Sequence, residues 1–157
     1  MKIQLWSIGK ENDPYIREGI ALYQKRLQHY VDFELKLIPT VKQAGSLSVP
    51  ELKKQEARII MDMLQPADYL LALDEHGKMM TTVQFSDFLQ QRTNASTRQL
   101  IILIGGAFGL DPSLLQRAQL QLSLSPLTFP HQLVRLIMTE QLYRAYTVLN
   151  REKYHHQ

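Results

Sequence analysis

A mainly parallel α/β sheet with helices on both faces is the architecture this chain predicts, on three observations. Strand-like and helix-like stretches alternate along the whole length, the pattern of parallel strands joined by crossover helices. The run Leu100-Ile101-Ile102-Leu103-Ile104 is apolar at every position, which suits a strand covered on both faces. It breaks directly into Gly105-Gly106-Ala107-Phe108-Gly109, a glycine turn at a strand's carboxyl end, where open α/β sheets receive ligands.

Each element has its own signal. Met1 to Gly9 reads as the first strand ending in a turn residue, with too little apolar length for a signal peptide. Asp13-Pro14 is a cap followed by a first-turn proline, and Ile16, Ile20, Tyr23 and Leu27 continue at helical spacing to about His29. From Asp32 to Pro39, Phe33, Leu35 and Leu37 alternate with Glu34 and Lys36, as in a strand with one wet face. Residues 40 to 48 lack periodicity and read as a loop; Ser48 and Pro50 then open a helix carrying Leu52, Ile59, Ile60, Met63 and Leu64. Ala67 to Asp74 is a third strand expected to end in the charged turn Glu75-His76-Gly77-Lys78. Thr81 or Thr82 caps a helix with Val83, Phe88 and Leu89, and the fourth strand spans about 98 to 104. Asp111-Pro112 starts a short helix to about Gln119, and Leu120 to Leu124 is the last strand. Val134, Ile137, Met138, Gln141, Leu142, Ala145 and Val148 make the stripe of a long helix from His131, before the tail Lys153-Tyr154-His155-His156-Gln157.

With 157 residues and 45% apolar content, one domain over residues 1–157 is expected. A net charge of +3 permits a nucleic-acid partner without requiring one. The chain has no cysteine, which excludes disulfides, thiolate nucleophiles and zinc–sulfur sites and fits a reducing, cytoplasmic setting. No apolar run approaches the roughly 20 residues of a membrane helix, so a soluble protein without a membrane partner is expected.

Several stretches offer chemistry, each beside a plainer reading. Gly105-Gly106-x-x-Gly109 serves equally as a tight turn or a ligand loop, and it lacks the spacing, lysine and hydroxyl of a phosphate loop. Leu73-Asp74 either touches a ribose or simply finishes its strand. From Ser123 to Pro130, two prolines forbid regular structure while Leu124, Leu127 and Phe129 are apolar for an open loop. Such backbone groups beside apolar side chains suit an adenine, or else a buried connection. Glu140 and Arg144 are spaced for an i,i+4 ion pair, and the alternative for Arg144 is a phosphate. Tyr154 and His155 belong either to a frayed terminus or to a site that stacks a base and handles a proton. The histidines show no metal-ligand spacing, so no metal is expected.

At Ile104-Gly105-Gly106-x-x-Gly109, Leu122-Ser123-Leu124-Ser125-x-Leu127-Thr128-x-Pro130-His131-x-Leu133-Val134-Arg135, Glu140-Gln141-Leu142-Tyr143-Arg144-Ala145 and Tyr154-His155, the chain resembles a bacterial family. These are the large-subunit ribosomal RNA pseudouridine N3-methyltransferases, of the SPOUT class of trefoil-knotted methyltransferases. The resemblance covers the full length. It implies a C-terminal trefoil knot, which local patterning does not reveal and which departs from the usual rule against threading. It implies S-adenosylmethionine held by Leu73, Gly105, Leu124, Ser125, Pro126, Leu127, Thr128 and Phe129, with no metal. It implies a homodimer with its site near the interface, acting on 23S ribosomal RNA in the assembled ribosome. Within that resemblance, Arg135 and Arg144 are assigned to RNA or to the developing base anion, Glu140 or His155 to the proton, and Tyr154 to stacking on the target base.

Other readings are a SPOUT enzyme acting on another RNA such as tRNA, and a non-catalytic ribosome-binding factor. A flavodoxin-type nucleotide-binding protein is disfavoured by the missing phosphate-loop chemistry.

Overall fold

Five strands, β1 (Lys2–Ile8), β2 (Asp32–Ile38), β3 (Tyr69–Met79), β4 (Gln99–Ile104) and β5 (Leu120–Ser123), pair in the order β2-β1-β4-β3-β5, every pair parallel. The structure is a computed structural model that describes residues 1–156; Gln157, expected in the tail, lies outside the described residues. The helices are α1 (Pro14–Leu27), α2 (Val49–Met63), α3 (Thr82–Asn94), α4 (Pro112–Arg117) and α5 (His131–Leu149), with a single 3-10 turn at Ala44–Ser46 in the aperiodic loop.

The apolar run of β4 explains the layering. Leu100, Ile102 and Ile104 join a core with Ile3, Leu5, Leu27, Phe85, Leu89, Met138 and Leu142, which places α1, α3 and α5 on one face. Ile101 and Leu103 point the other way, into a core with Trp6, Ile60, Leu70 and Leu114 under α2 and α4. A strand buried on both faces has no position for a polar side chain, and β4 carries only Gln99, at its start.

Helix starts follow the capping residues. Ser48 accepts from the Glu51 N–H, Asp111 from the Ser113 N–H, and Thr81, not Thr82, forms a capping box with Gln84. Asp13 precedes Pro14 without a side-chain cap bond, and α1 ends at Leu27, two residues before the expected end. Ile59, counted in the apolar stripe of α2, faces outward and is 38% exposed.

One boundary differs in a way that matters. The expected turn at Glu75–Lys78 lies inside β3: Leu73 pairs with Leu122, residues 74–77 bulge out, and pairing with β5 resumes at Lys78↔Leu122 and Met79↔Ser123. Gly77 makes this possible, because a Cβ there would lie 2.7 Å from main-chain atoms of Gln121 and Leu122. The strand thus stays paired with β5 while displaying Glu75 and His76 outward, with the Asp74 side chain 16% exposed.

Candidate functional site

The carboxyl ends of β4, β3 and β5 are adjacent in the sheet, so the loops leaving them converge. They line one cavity of about 930 Å³, with walls from Leu73–His76, Ile104–Leu110, Leu122–Ser125, Leu127–His131 and Val134. The glycine turn closes on itself by a hydrogen bond from the Gly109 N–H to the Gly106 carbonyl (3.1 Å), and the φ of +78° at Gly109 is a conformation that favours glycine. The proline-broken loop carries its own scaffold. Ser123 Oγ donates to the Ser125 carbonyl (3.2 Å), and Ser125 Oγ accepts from the Leu127 N–H (3.0 Å). Asp74 Oδ2 accepts from the His76 N–H (2.9 Å), which fixes the bulge at the rim.

Of the residues expected to hold a methyl donor, Leu73, Gly105, Leu124, Ser125, Leu127, Thr128 and Phe129 line this cavity; Pro126 is exposed in the same loop but is not part of the lining. Leu127 is 73% exposed, so the apolar cover expected over this segment is not supplied by the chain's own described residues. His131, at the start of α5, also lines the cavity; burial, and then the Arg135 charge, hold its imidazole below the ordinary range.

A second cluster forms between α5 and the tail. Arg144 donates to Glu140 Oε1 through Nε (2.9 Å) and Nη2 (2.6 Å), and the Tyr154 hydroxyl donates to the same oxygen (3.1 Å). The Arg144 guanidinium lies 4.7 Å from the Tyr154 ring centroid, and Tyr143 meets that ring edge-on at 4.7 Å. The ion pair expected from i,i+4 spacing is therefore present, but with side chains only 28% and 15% exposed it is more than a solvated surface pair. Its hydrogen bond to Glu140 raises the Arg144 pKa, while burial, with the nearby Tyr23 and Glu140 oxygens, raises that of Tyr154, so the hydroxyl remains a donor. His155 follows directly, half-buried, with Nδ1 buried and without a hydrogen-bond partner among the described residues.

Arg135 does not join this cluster. It is fully buried, and its guanidinium donates to Ser7 Oγ (2.7 Å), the Ile8 carbonyl (3.4 Å), the Lys10 carbonyl (2.9 Å) and Asn12 Oδ1 (2.9 Å). All four acceptors lie at or beyond the carboxyl end of β1. The expectation that Arg135 meets RNA is thus replaced by a scaffold role within this chain, tying α5 to β1.

The sequence reading missed several residues at the site. Glu75, His76 and Gly77 have the composition of a charged turn, and Gly77 becomes legible only once β5 lies against it. Glu56 is buried on the other side of the glycine turn, where a Cβ on Gly106 would sit 3.1 Å from its Oε1; burial holds its carboxyl above the usual range, against the pull of Lys53. Among the described residues, no group of three or more His, Cys, Asp or Glu side chains is placed to hold a metal. No helix among them is long and apolar enough to cross a membrane.

A parallel sheet whose neighbouring strand-end loops wrap one large cavity defines an α/β protein with room for a small organic ligand at its strand ends, and the C-terminal helix carries a separate guanidinium–aromatic cluster. A family model described as predicted SPOUT methyltransferase matches residues 1–155, and the chain belongs to that family. A protein of Cytophaga hutchinsonii named ribosomal RNA large subunit methyltransferase H is 48% identical over 156 residues, covering 99% of this chain and 100% of the relative. One of the same name from Parabacteroides distasonis is 43% identical over 157 residues, covering both chains completely. Among solved structures, a probable methyltransferase from Bordetella pertussis superposes with a TM-score of 0.57 at 11% identity, over 92% of this chain and 95% of that one. A probable methylase family protein from Haemophilus influenzae gives 0.56 at 13% identity, over 99% and 70%. At such identities these two attest the fold alone.

Proposed function

We propose that this protein is an S-adenosylmethionine-dependent methyltransferase that methylates N3 of a pseudouridine in 23S ribosomal RNA. The observation that carries the reading is the convergence of Leu73, Gly105 and the Leu124–Phe129 loop, apart from Pro126, on one cavity. The cavity fits the donor: leucine and phenylalanine side chains offer faces for an adenine, and main-chain groups of the two irregular loops offer edge contacts. Bound there, S-adenosylmethionine supplies an electrophilic sulfonium methyl group, so the chain's own task is alignment and proton removal.

In the balanced reaction, an N3–C bond forms as the S–CH3 bond breaks, the N3 proton leaves, and S-adenosylhomocysteine is the co-product. Arg144, held by Glu140, places a permanent positive charge where the imide gains negative charge. Tyr154, held against Arg144 and Tyr143, offers its ring face to the base. Glu140 already accepts hydrogen bonds on both oxygens, so its part is to orient, and we assign the proton to His155, whose Nδ1 has no partner among the described residues.

The weak positive charge of the chain favours a target read by shape within the assembled ribosome over free RNA. A homodimer, in the cytoplasm, with the second copy covering the exposed Leu127 side of the cavity, and a C-terminal trefoil knot threading α5 past the donor loops, complete the proposal.

The test is transfer of labelled methyl from S-adenosylmethionine to ribosomes from cells lacking this protein, with nucleoside mass spectrometry of the product. Label on tRNA alone would establish a different RNA substrate, and absence of saturable donor binding in calorimetry would leave a non-catalytic ribosome-binding factor. Arg144→Ala is expected to lower turnover at least a hundredfold with donor binding intact; unchanged turnover removes Arg144 from the mechanism.

A further inference from the structure

Behind the Arg144–Tyr154 cluster the hydrogen bonding continues through Gln141 to Thr82, two residues with no role in the reaction described above. Thr82, the first residue of α3, donates through Oγ1 to Gln141 Oε1 (3.1 Å); Gln141 Nε2 donates to Glu140 Oε2 (2.8 Å); and Glu140 Oε1 accepts from Arg144 and Tyr154. The middle link is not something a helix provides. Consecutive residues on α5 point about 100° apart and do not face each other, so a Gln141–Glu140 side-chain bond forms only if an outside group holds the amide in place. Thr82 is that group. Its hydroxyl occupies the amide oxygen, which leaves the amide N–H to face the carboxylate.

We propose that Gln141 and Thr82 are positioning residues for methyl transfer: they hold the Glu140 carboxylate, and through it Arg144 and Tyr154, in register with the donor cavity. This rests on the assignment of Arg144 to the acceptor base.

The placement of Thr82 gives the link its meaning. β3 leaves the donor cavity at Leu73, bulges through Asp74–Gly77, re-pairs with β5 at Lys78 and Met79, and after Met80 and Thr81 enters α3 at Thr82. Thr82 and Gln141 face a cavity of about 360 Å³ whose wall includes Leu122, Ser123, Leu124 and Phe129, residues that also wall the donor cavity. The hydroxyl of Thr82 thus stands at the start of α3, three residues after the strand that forms the donor rim, while the groups it aligns stand on α5 and the tail. A displacement of the Glu140 carboxylate by a fraction of an ångström would swing both the guanidinium and the phenol that depend on its Oε1. Alignment of this kind affects the transition state more than the binding of either reactant.

The experiment compares Thr82→Val, Thr82→Ser, Gln141→Met and the Thr82→Val/Gln141→Met double variant with the unaltered protein and Arg144→Ala. Each full-length protein is assayed with S-adenosylmethionine and ribosomes from cells lacking the enzyme, with melting curves and donor calorimetry alongside. Loss of one neutral hydrogen bond corresponds to about fivefold in rate, so Thr82→Val should lower kcat about five- to tenfold, and Gln141→Met, which also loses the charge-assisted bond to Glu140, should lower it at least about tenfold. The KM for the donor and the melting temperature of Thr82→Val should stay unchanged. Thr82→Ser should restore most of the rate, and the double variant should be no slower than Gln141→Met alone, since Thr82 acts through Gln141. If Thr82→Val turns over within twofold of the unaltered protein while Arg144→Ala is inactive, the positioning role is refuted and the site assignment survives. If Arg144→Ala remains active, both fall. Should Gln141→Met fail to fold, the Thr82 pair decides alone.

Discussion

Replacing Arg135 with methionine separates a scaffold arginine from one that meets RNA. The alkyl stem keeps its volume, and what is lost is the guanidinium that α5 sends into the end of β1. Two of its four acceptors, the Lys10 carbonyl and Asn12 Oδ1, belong to residues that water can reach and can be resolvated. Ser7 Oγ and the Ile8 carbonyl belong to buried residues, and each costs about 1–3 kcal/mol when orphaned. The sum is about 2–6 kcal/mol, and relief from holding a charge without a carboxylate hydrogen-bonded to it, a burial that already lowers the Arg135 pKa, brings the net to about 3 kcal/mol. For a chain of this length about 3 kcal/mol corresponds to a fall of roughly 6–12 °C in melting temperature. Calorimetry or circular dichroism measures it directly, and methyl transfer assayed well below the new transition should persist within severalfold. A variant that melts within about 2 °C of the parent but has lost transfer would refute the reasoning, because Arg135 would then have to reach substrate.

Three further outcomes follow from the same geometry. His131 titrates below its ordinary value in the folded protein, so between that lowered value and about pH 6.5 the unfolded chain binds the extra proton and stability falls as pH falls; in urea titrations from pH 7.5 to 5, His131→Gln should lose part of this slope, and parallel curves would show that the imidazole does not carry it. Glu56 titrates above its ordinary value, so its cost to the fold is present at neutral pH and vanishes in acid; Glu56→Gln should melt higher than the parent at pH 7.5, with the gap closing toward pH 4, and equal melting at pH 7.5 would mean that the carboxylate is solvated. Gly77→Ala sets a methyl group against main chain that cannot yield, so the second stretch of β3–β5 pairing should open and donor affinity should weaken at least tenfold by calorimetry; an unchanged donor Kd would show that the bulge does not shape the cavity.

What the sequence could and could not disclose follows from where each residue finds its partners. Leu100–Ile104 was legible because burial on both faces leaves only one composition available, and a cap at Thr81 or Thr82 and the Asp111 cap were legible because a cap's partner lies two or three residues away; the choice of Thr81 and its box with Gln84 came only with the structure. The loops that line the large cavity were legible as strand ends, which the fold class alone brings together. Arg135 was misplaced for the opposite reason: its Ser7 partner lies 128 residues away, and on α5 it carries the same surface signal as Arg144. Charge in a sequence marks a group that must be satisfied, by solvent, ligand or the chain itself, and only the fold decides which. The β3 bulge follows the same logic, since Asp74–Lys78 has the composition of a turn and becomes part of a strand only because β5 offers its backbone to Gly77. Thr82 and Gln141, 59 residues apart, are polar residues at unremarkable helix positions until α3 and α5 are packed together. Local signals thus located the cavity, whereas the registration of the groups around it resides in pairs that no local pattern encodes, and it is those pairs that the substitutions above interrogate.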